Sequence, residues 1–407
     1  MPVSLDQLPP VAVRPGMPRL WLWSGLLMLF LLLGAAGVLV FASQPLAEQS
    51  LRIWWLVAAG VLLGWCLLLA VRILHYLGLR HAADGWDQAR EEDYAGKINQ
   101  GRRFVQVLDA TLHTGLQVPG QSWVTQLEAL LSGLRAIRTQ PAWAGDIARH
   151  SRLPIEAGST AEHRLLAALN RVLADLAETL SQLPADVPLA VLLDVDSSLP
   201  ASEIHRIWQE AWGSSANRQP ATTLPGCGLG VLDHWLDQRS EDRSLLLVVS
   251  CQVAPSQPVG TAEVAVGLLL GNPLGASTLP PIARLHRPQQ ACEQTSEAWC
   301  SAVDQSLNWA DKERDALDHG WRVGIDAGHE PALGTVFMRL PAELDGLVHN
   351  LDAMLGHPGR AAPWLALAAA TQNIKQGAGV QIIFSGERSA ASVLWSTVIV
   401  PSPAPAN

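Results

Sequence analysis

Two apolar stretches, residues 21–42 and 53–71, constrain this chain more than any other feature of it. Each approaches the roughly 20 residues that an α-helix needs to cross the hydrocarbon core of a bilayer. Only residues 43–52 separate them, with Pro45 and Glu48, so the pair is expected to form a tight helical hairpin. Arg14 and Arg19 precede the first stretch, and Arg72, Arg80, Arg90, Lys97, Arg102 and Arg103 follow the second. Between them no base occurs before Arg52. Basic flanks are retained in the cytoplasm. The expectation is a two-pass protein of a bacterial inner membrane, with both termini and the soluble part cytoplasmic. Trp21, Trp23, Trp54 and Trp55 fall where an interfacial aromatic belt belongs. A cleaved signal peptide fits poorly. The first stretch exceeds an h-region, lacks a small-residue cleavage site and is followed at once by a second span. Gly60-x-x-x-Gly64 has the spacing that lets two spans pack closely.

The formal charge of −9 and the absence of a basic run argue against a nucleic-acid partner. Five cysteines are irregularly spaced, one of them (Cys66) within the second span. With no C-x-x-C pair, no zinc motif is readable, and the thiols suit a reducing compartment. Neither a metal nor a cofactor is expected. Only Lys97, Lys312 and Lys375 are lysines among 28 basic residues, a bias of GC-rich bacterial genomes.

Residues 1–81 are therefore the N-terminus and hairpin, and 82–184 a charged neck followed by a helical, mixed region. Residues 185–400 are an α/β domain and 401–407 a disordered tail. The neck carries a polar helix near Asp87–Glu92, then a strand at 104–108 and a helix at 123–137. The clearest helix is 161–183, with a Ser159-x-x-Glu162 capping box ahead of apolar residues at helical spacing. Beyond it, continuous apolar runs at 189–193, 245–249 and 264–270 read as strands buried on both faces. Further strands are expected at 282–286, 336–340, 380–384 and 393–400. Helices are expected at 202–212, 229–236, 296–310, 344–355 and 362–371. Strands alternating with helices indicate an α/β sheet covered on both sides.

Three motifs bear on chemistry. The segment Leu192-Leu193-Asp194-Val195-Asp196 ends an apolar strand in D-x-D. It resembles the first motif of haloacid-dehalogenase-type phosphatases, which implies Asp194 as nucleophile and Asp196 as proton shuttle. The partner lysine and the late acidic pair that hold Mg²⁺ in such sites do not appear. The plain alternative is an Asp/Ser-rich turn capping the next helix.

Gly226-Cys227-Gly228-Leu229-Gly230 precedes a helix and a buried strand. Gly260-Thr261-Ala262-Glu263 leads into another strand, and Gly356-His357-Pro358-Gly359-Arg360-Ala361-Ala362 leads into an Ala/Leu helix. In this order the segments resemble the β-ketoacyl synthases of the thiolase superfamily, over roughly residues 185–400. The resemblance implies a layered α/β/α/β/α domain, with Cys227 as acyl carrier at a helix N-terminus and His357 as one of two catalytic histidines. His329, in Gly328-His329-Glu330-Pro331, is the candidate for the other. A helix N-terminus lowers a thiol pKa, and its N–H groups can form an oxyanion hole. Several family features are absent: the second histidine's H-G-T-G-T context, the lysine just before G-H, and the Ser or Thr two residues after the cysteine. A cysteine in a Gly-rich turn is also simply a small apolar residue.

The layout of anchor, charged neck, Arg149-His150-Ser151-Arg152-Leu153-Pro154 and α/β region resembles accessory proteins of bacterial type VI secretion effectors. The expected function is a membrane-anchored, non-catalytic ketosynthase-like adaptor holding a protein, with a secreted effector as candidate. The other expected partners are the bilayer and a second copy of the chain. The alternatives are a condensing or acyl-transfer enzyme using Cys227 and His357, and a phosphatase using Asp194 and Asp196.

Overall fold

The computed structural model describes residues 9–41, 51–155, 159–215, 217, 219–239, 242–273, 279–344, 346–387 and 393–403. The chain divides near residue 97 into two compact units. The first holds α1 (Leu20–Phe41) and most of α2 (Leu51–Gly101). Both are long and apolar enough to span a membrane, and their apolar windows are almost wholly uncovered by protein. The expected connecting turn lies outside the described residues. The second apolar run and the polar neck are one helix of 51 residues, about 75 Å long. No proline or cap signal interrupts residues 51–101. Close approach of the two helices falls at Gly34, where a Cβ would lie 3.0 Å from Val61 Cγ2. Gly60 and Gly64 face open space, so the expected Gly-x-x-x-Gly contact is not the one formed. On the polar part of α2, Arg90 Nε donates to Pro9 O at 2.8 Å and Trp86 Nε1 to Pro10 O at 3.1 Å. The residues before α1 and those after the apolar part of α2 thus lie side by side.

The second unit opens with β1 (Phe104–His113), α3 (Trp123–Leu131), the hairpin β2 (Arg138–Pro141) and β3 (Ile147–His150), and α4 (Ala161–Ser181). Then come β4 (Leu189–Asp196), α5 (Ala201–Ser214), β5 (Ala221–Leu224), α6 (Gly228–Gln238), β6 (Leu245–Gln252) and β7 (Val264–Gly271). A second series follows: β8 (Ala283–His286), β9 (Gln289–Gln290), α7 (Ser296–Trp309), β10 (Leu317–Val323) and α8 (Glu330–Phe337). It ends with β11 (Val348–Asn350), α9 (Leu351–Leu355), α10 (Ala362–Lys375), β12 (Val380–Glu387) and β13 (Val393–Pro401).

Apart from β2 and β3, the described strands form one sheet, ordered β5-β4-β6-β7-β1 and then β8-β13-β12-β10-β11, with β9 beside β13. Numbered within its own series, each half has the order third, second, fourth, fifth, first. In each half the second strand runs parallel to the third and fourth, and the fifth is antiparallel to its neighbours. The unit is an internal duplication that no sequence repeat announces.

Side-chain alternation divides the core into layers. Leu246 and Val248 of β6 face a central cluster with α6 and α10, while Leu245, Leu247 and Val249 face α4 and α5. A third cluster joins Ile382 and Phe384 of β12 to α7 and α8. Strands buried on both faces lose the alternating signature, which is why β4, β6 and β7 read as continuous apolar runs. Every residue from Ala362 to Ile374 of α10 is buried.

Five expectations need correction. The boundary at 184/185 does not exist as a break, because β1 sits in mid-sheet and α4 covers β1 and β7. The strand expected at 336–340 is the end of α8 and a turn. The missing strand is β10, Leu-Asp-His-Gly-Trp-Arg-Val, whose polar residues hide its pattern. The helix expected at 344–355 splits into β11 and α9. Thr160, not Ser159, caps α4, accepting from His163 N–H. Pro401, expected in the tail, closes β13; residues 404–407 lie outside the described residues.

Gly267 of β7 shows how closely the outer layer is packed. A Cβ there would lie 2.6 Å from Val172 Cγ1, 2.8 Å from Leu176 Cδ1 and 2.9 Å from Thr111 Cγ2. Gly267→Ala should therefore destabilise the protein by about 1–3 kcal/mol through overpacking, read as a lowered midpoint of thermal unfolding by circular dichroism.

Candidate functional site

The segments singled out by sequence converge at one end of the central layer. Cys227 is the N-cap residue of α6, in extended backbone and exposed. Gly226 before it has φ +114, which favours glycine, and so sets the turn. The chain around His357 threads between the ends of the first half's strands. His357 N–H donates to Gly260 O at 2.8 Å, and His357 O accepts from Ala262 N–H at 2.9 Å and Gln252 Nε2 at 2.7 Å. The second and third ketosynthase-like segments are thus hydrogen-bonded to each other. Gly356 (φ +96) leaves only 2.7 Å between a would-be Cβ and Thr261 O, so no larger residue fits there.

Asp194, at the end of β4, ties these parts together. Its Oδ2 accepts from Gly228 N–H at 3.0 Å, in the first turn of α6, and from Trp364 Nε1 at 3.1 Å, in the first turn of α10. Asp194 is 1% exposed, and its Oδ1 is buried with no hydrogen-bond partner. Burial pushes its pKa up, against the pull of the Gly228 and Trp364 donors and of Arg360. Beside it, burial raises the Cys251 thiol to about 12. Next to this cluster Gly359 is packed so closely that a Cβ would collide with Gln252 Oε1 and Asp196 Oδ2. Trp364 and Gln252 are both buried beside the segment around Gly359.

His329 lies elsewhere in the chain's path, at the junction of the 3-10 turn Ala327–His329 with α8. The loop that reaches the site from β10 is Gly324–Ile325, whose N–H groups face Asp352. Burial raises the Asp352 carboxyl, while the Gly324 N–H and the charge of His357 act in the opposite direction. His357 Nδ1 accepts from Gly359 N–H at 3.0 Å, so one ring nitrogen shapes its own loop.

Sequence reading found Asp194 for a different reason, as a phosphatase nucleophile. That role is corrected: the carboxylate is shut away from solvent and already holds two donors. Trp364 and Gln252 were missed, because an apolar-looking tryptophan and a glutamine at a strand end carry no motif.

No protein-family model and no curated protein sequence matches this chain. Its fold, by contrast, is that of thiolase-like ketosynthases. The ishigamide ketosynthase/chain length factor superposes with a TM-score of 0.55 at 14% identity, covering 74% of this chain and 100% of that one. A ketosynthase from module 1 of the bacillaene synthase of Bacillus amyloliquefaciens FZB42 gives 0.53 at 11% identity, over 76% of this chain and 75% of the other. One from module 6 of the bacillaene synthase of Bacillus subtilis 168 gives 0.52 at 10%, over 74% and 71%. The matches span about three quarters of the chain, more than residues 185–400, as the position of β1 requires.

The raised pKa of Asp194 has a thermodynamic consequence. The folded state holds this proton more tightly than the unfolded chain, so stability falls as pH rises from the ordinary aspartate value of 3.8 through the raised one. Asp194→Asn keeps an oxygen for both donors and removes the charge. The variant should melt higher than the parent by roughly 2 °C at pH 7, and the gain should vanish as the pH falls below 3.8, measured by melting curves across that range.

Proposed function

We propose that this chain is a membrane-tethered, non-catalytic scaffold on a ketosynthase core, which acts by holding a protein partner. The observation that carries this reading is the Asp194 carboxylate at the start of α6. A thiolate or an oxyanion at a helix N-terminus is stabilised by N–H groups left unpaired there. Here the Gly228 N–H is already bonded to a carboxyl group and so is not left free for a thiolate or an oxyanion. The second histidine of a condensing site has no clear counterpart, since His329 sits on another element, at the start of α8. The adaptor role and the choice of a secreted effector as partner draw on the resemblance of the whole layout to type VI accessory proteins.

The two apolar helices α1 and α2 support a membrane anchor, and the basic flanks on both sides of them support a cytoplasmic orientation of the ketosynthase-like unit. Fluorescent-protein fusions at either end of the chain should both mature in bacterial cells, and periplasm-dependent alkaline phosphatase fusions at the same ends should be inactive. The reverse pattern would overturn the orientation.

The chemistry is tested on the full chain in lipid nanodiscs. Incubation with acetyl-CoA and malonyl-CoA should leave its intact mass unchanged, and iodoacetamide should label Cys227 no faster than the equally exposed Cys292. An acyl adduct that disappears in Cys227→Ala would establish the condensing enzyme instead.

A further inference from the structure

A second polar site lies at the opposite end of α10, unconnected with the motifs that led to the first. A cavity of about 440 Å³ is bounded by the second half of β1, the α3 approach, α4 and the last turn of α10. On one wall His113 is 3% exposed. Its Nε2 lies 3.0 Å from Asp175 Oδ2 and its Nδ1 2.8 Å from Gln117 Oε1. Thr111 Oγ1 donates to the same Asp175 oxygen. These hydrogen bonds hold the Asp175 carboxyl below its ordinary value although burial acts the other way. On the opposite wall Lys375 Nζ is 2.8 Å from Asp109 Oδ1, and Thr179 donates to Asp109 Oδ2.

One group in this cavity is unsatisfied. Gln372, from the buried helix α10, is 2% exposed and lines the cavity, yet its Oε1 has no hydrogen-bond partner in the protein. A buried amide oxygen left without a donor costs about as much as a lost hydrogen bond. Asp109, Asp175, Lys375, Thr111 and His113 around it already answer one another. An occupant that brings its own donor is the natural remedy.

We propose that this cavity binds a small neutral saccharide or related polyol. The charges in the cavity are largely paired within the protein, Lys375 with Asp109 and Asp175 with His113 and Thr111, so an uncharged, hydroxylated ligand fits them without breaking an ion pair. Hydroxyl groups can both donate to Gln372 Oε1 and the spare carboxylate lone pairs and accept from the glutamine amides and the lysine. Trp123, 38% exposed at the rim with the Lys375 ammonium 5.9 Å from its ring centroid, adds aromatic surface of the kind against which the C–H face of a sugar ring packs. The volume falls in the range of small-molecule sites.

The test uses the full chain in nanodiscs, with saturation-transfer NMR and titration of glucose, N-acetylglucosamine and their β-linked disaccharides. Putrescine and inorganic phosphate serve as charged controls. At least one saccharide should bind saturably. Gln372→Leu should weaken it roughly tenfold, the scale of one hydrogen bond to a buried group, and the exposed Trp123→Ala should weaken it comparably with an unchanged melting temperature. Absence of saturable saccharide binding, binding indifferent to both variants, or binding of the charged controls alone would each overturn the proposal.

Discussion

Burying one helix on every side is the constraint from which the rest of this fold follows. α10 lies against strands of both halves, β1 and β7 of the first and β10, β12 and β13 of the second. A helix so placed cannot be amphipathic. Ala366, Ala368, Ala369 and Ala370 let strands approach from several directions, and Leu365 and Leu367 fill the remaining space. The polar residues of its last turns must then be answered from within. Thr371 Oγ1 donates to Leu367 O, and Asn373 reaches Gln381 Oε1, which also receives Trp321 Nε1. Gln372 alone breaks this pattern, and it does so at the mouth of a polar cavity.

The same geometry explains why a buried carboxyl group sits between the N-termini of α6 and α10. The N-termini of α6 and α10 point toward one small volume, and helix N-termini favour negative charge. A catalytic site uses that preference for a charge that appears only during reaction. Here a permanent acidic group, neutralised to whatever extent burial demands, meets the preference in the resting state. It fastens α6 to α10 through Gly228 and Trp364.

The legibility of the sequence followed burial. Both apolar helices and the doubly buried strands β4, β6 and β7 were readable because their composition is extreme. The thiolase-like layering was readable because three short segments with tight glycine turns occur in a fixed order. The structure hydrogen-bonds two of those segments, at Gly260, Ala262 and His357. β10 was invisible, since Asp318, His319 and Arg322 face partly polar surroundings while only Leu317, Trp321 and Val323 are core residues. Asp194 was noticed but misassigned. A D-x-D at a strand end looks alike whether the first aspartate faces substrate or a helix N-terminus, and only the position of Trp364, 170 residues away, distinguishes the two. The polar cavity was unreadable for the same reason, since it joins β1, α4 and α10 across more than 250 residues.

The two ends of α10 therefore behave as complementary features of one rigid element. Its 14 residues are roughly 20 Å long. At the first turn, Trp364 donates to the buried Asp194 carboxyl. At the last, Gln372 and Lys375 border the polar cavity. Because the intervening turns are gripped by strands of both halves, neither end can shift to suit an occupant without disturbing the sheet packing. A ligand in the polar cavity would consequently meet groups already ordered, paying little to arrange them, and the site would discriminate by the placement of donors and acceptors rather than by closing around its guest. That favours recognition over turnover at this cavity.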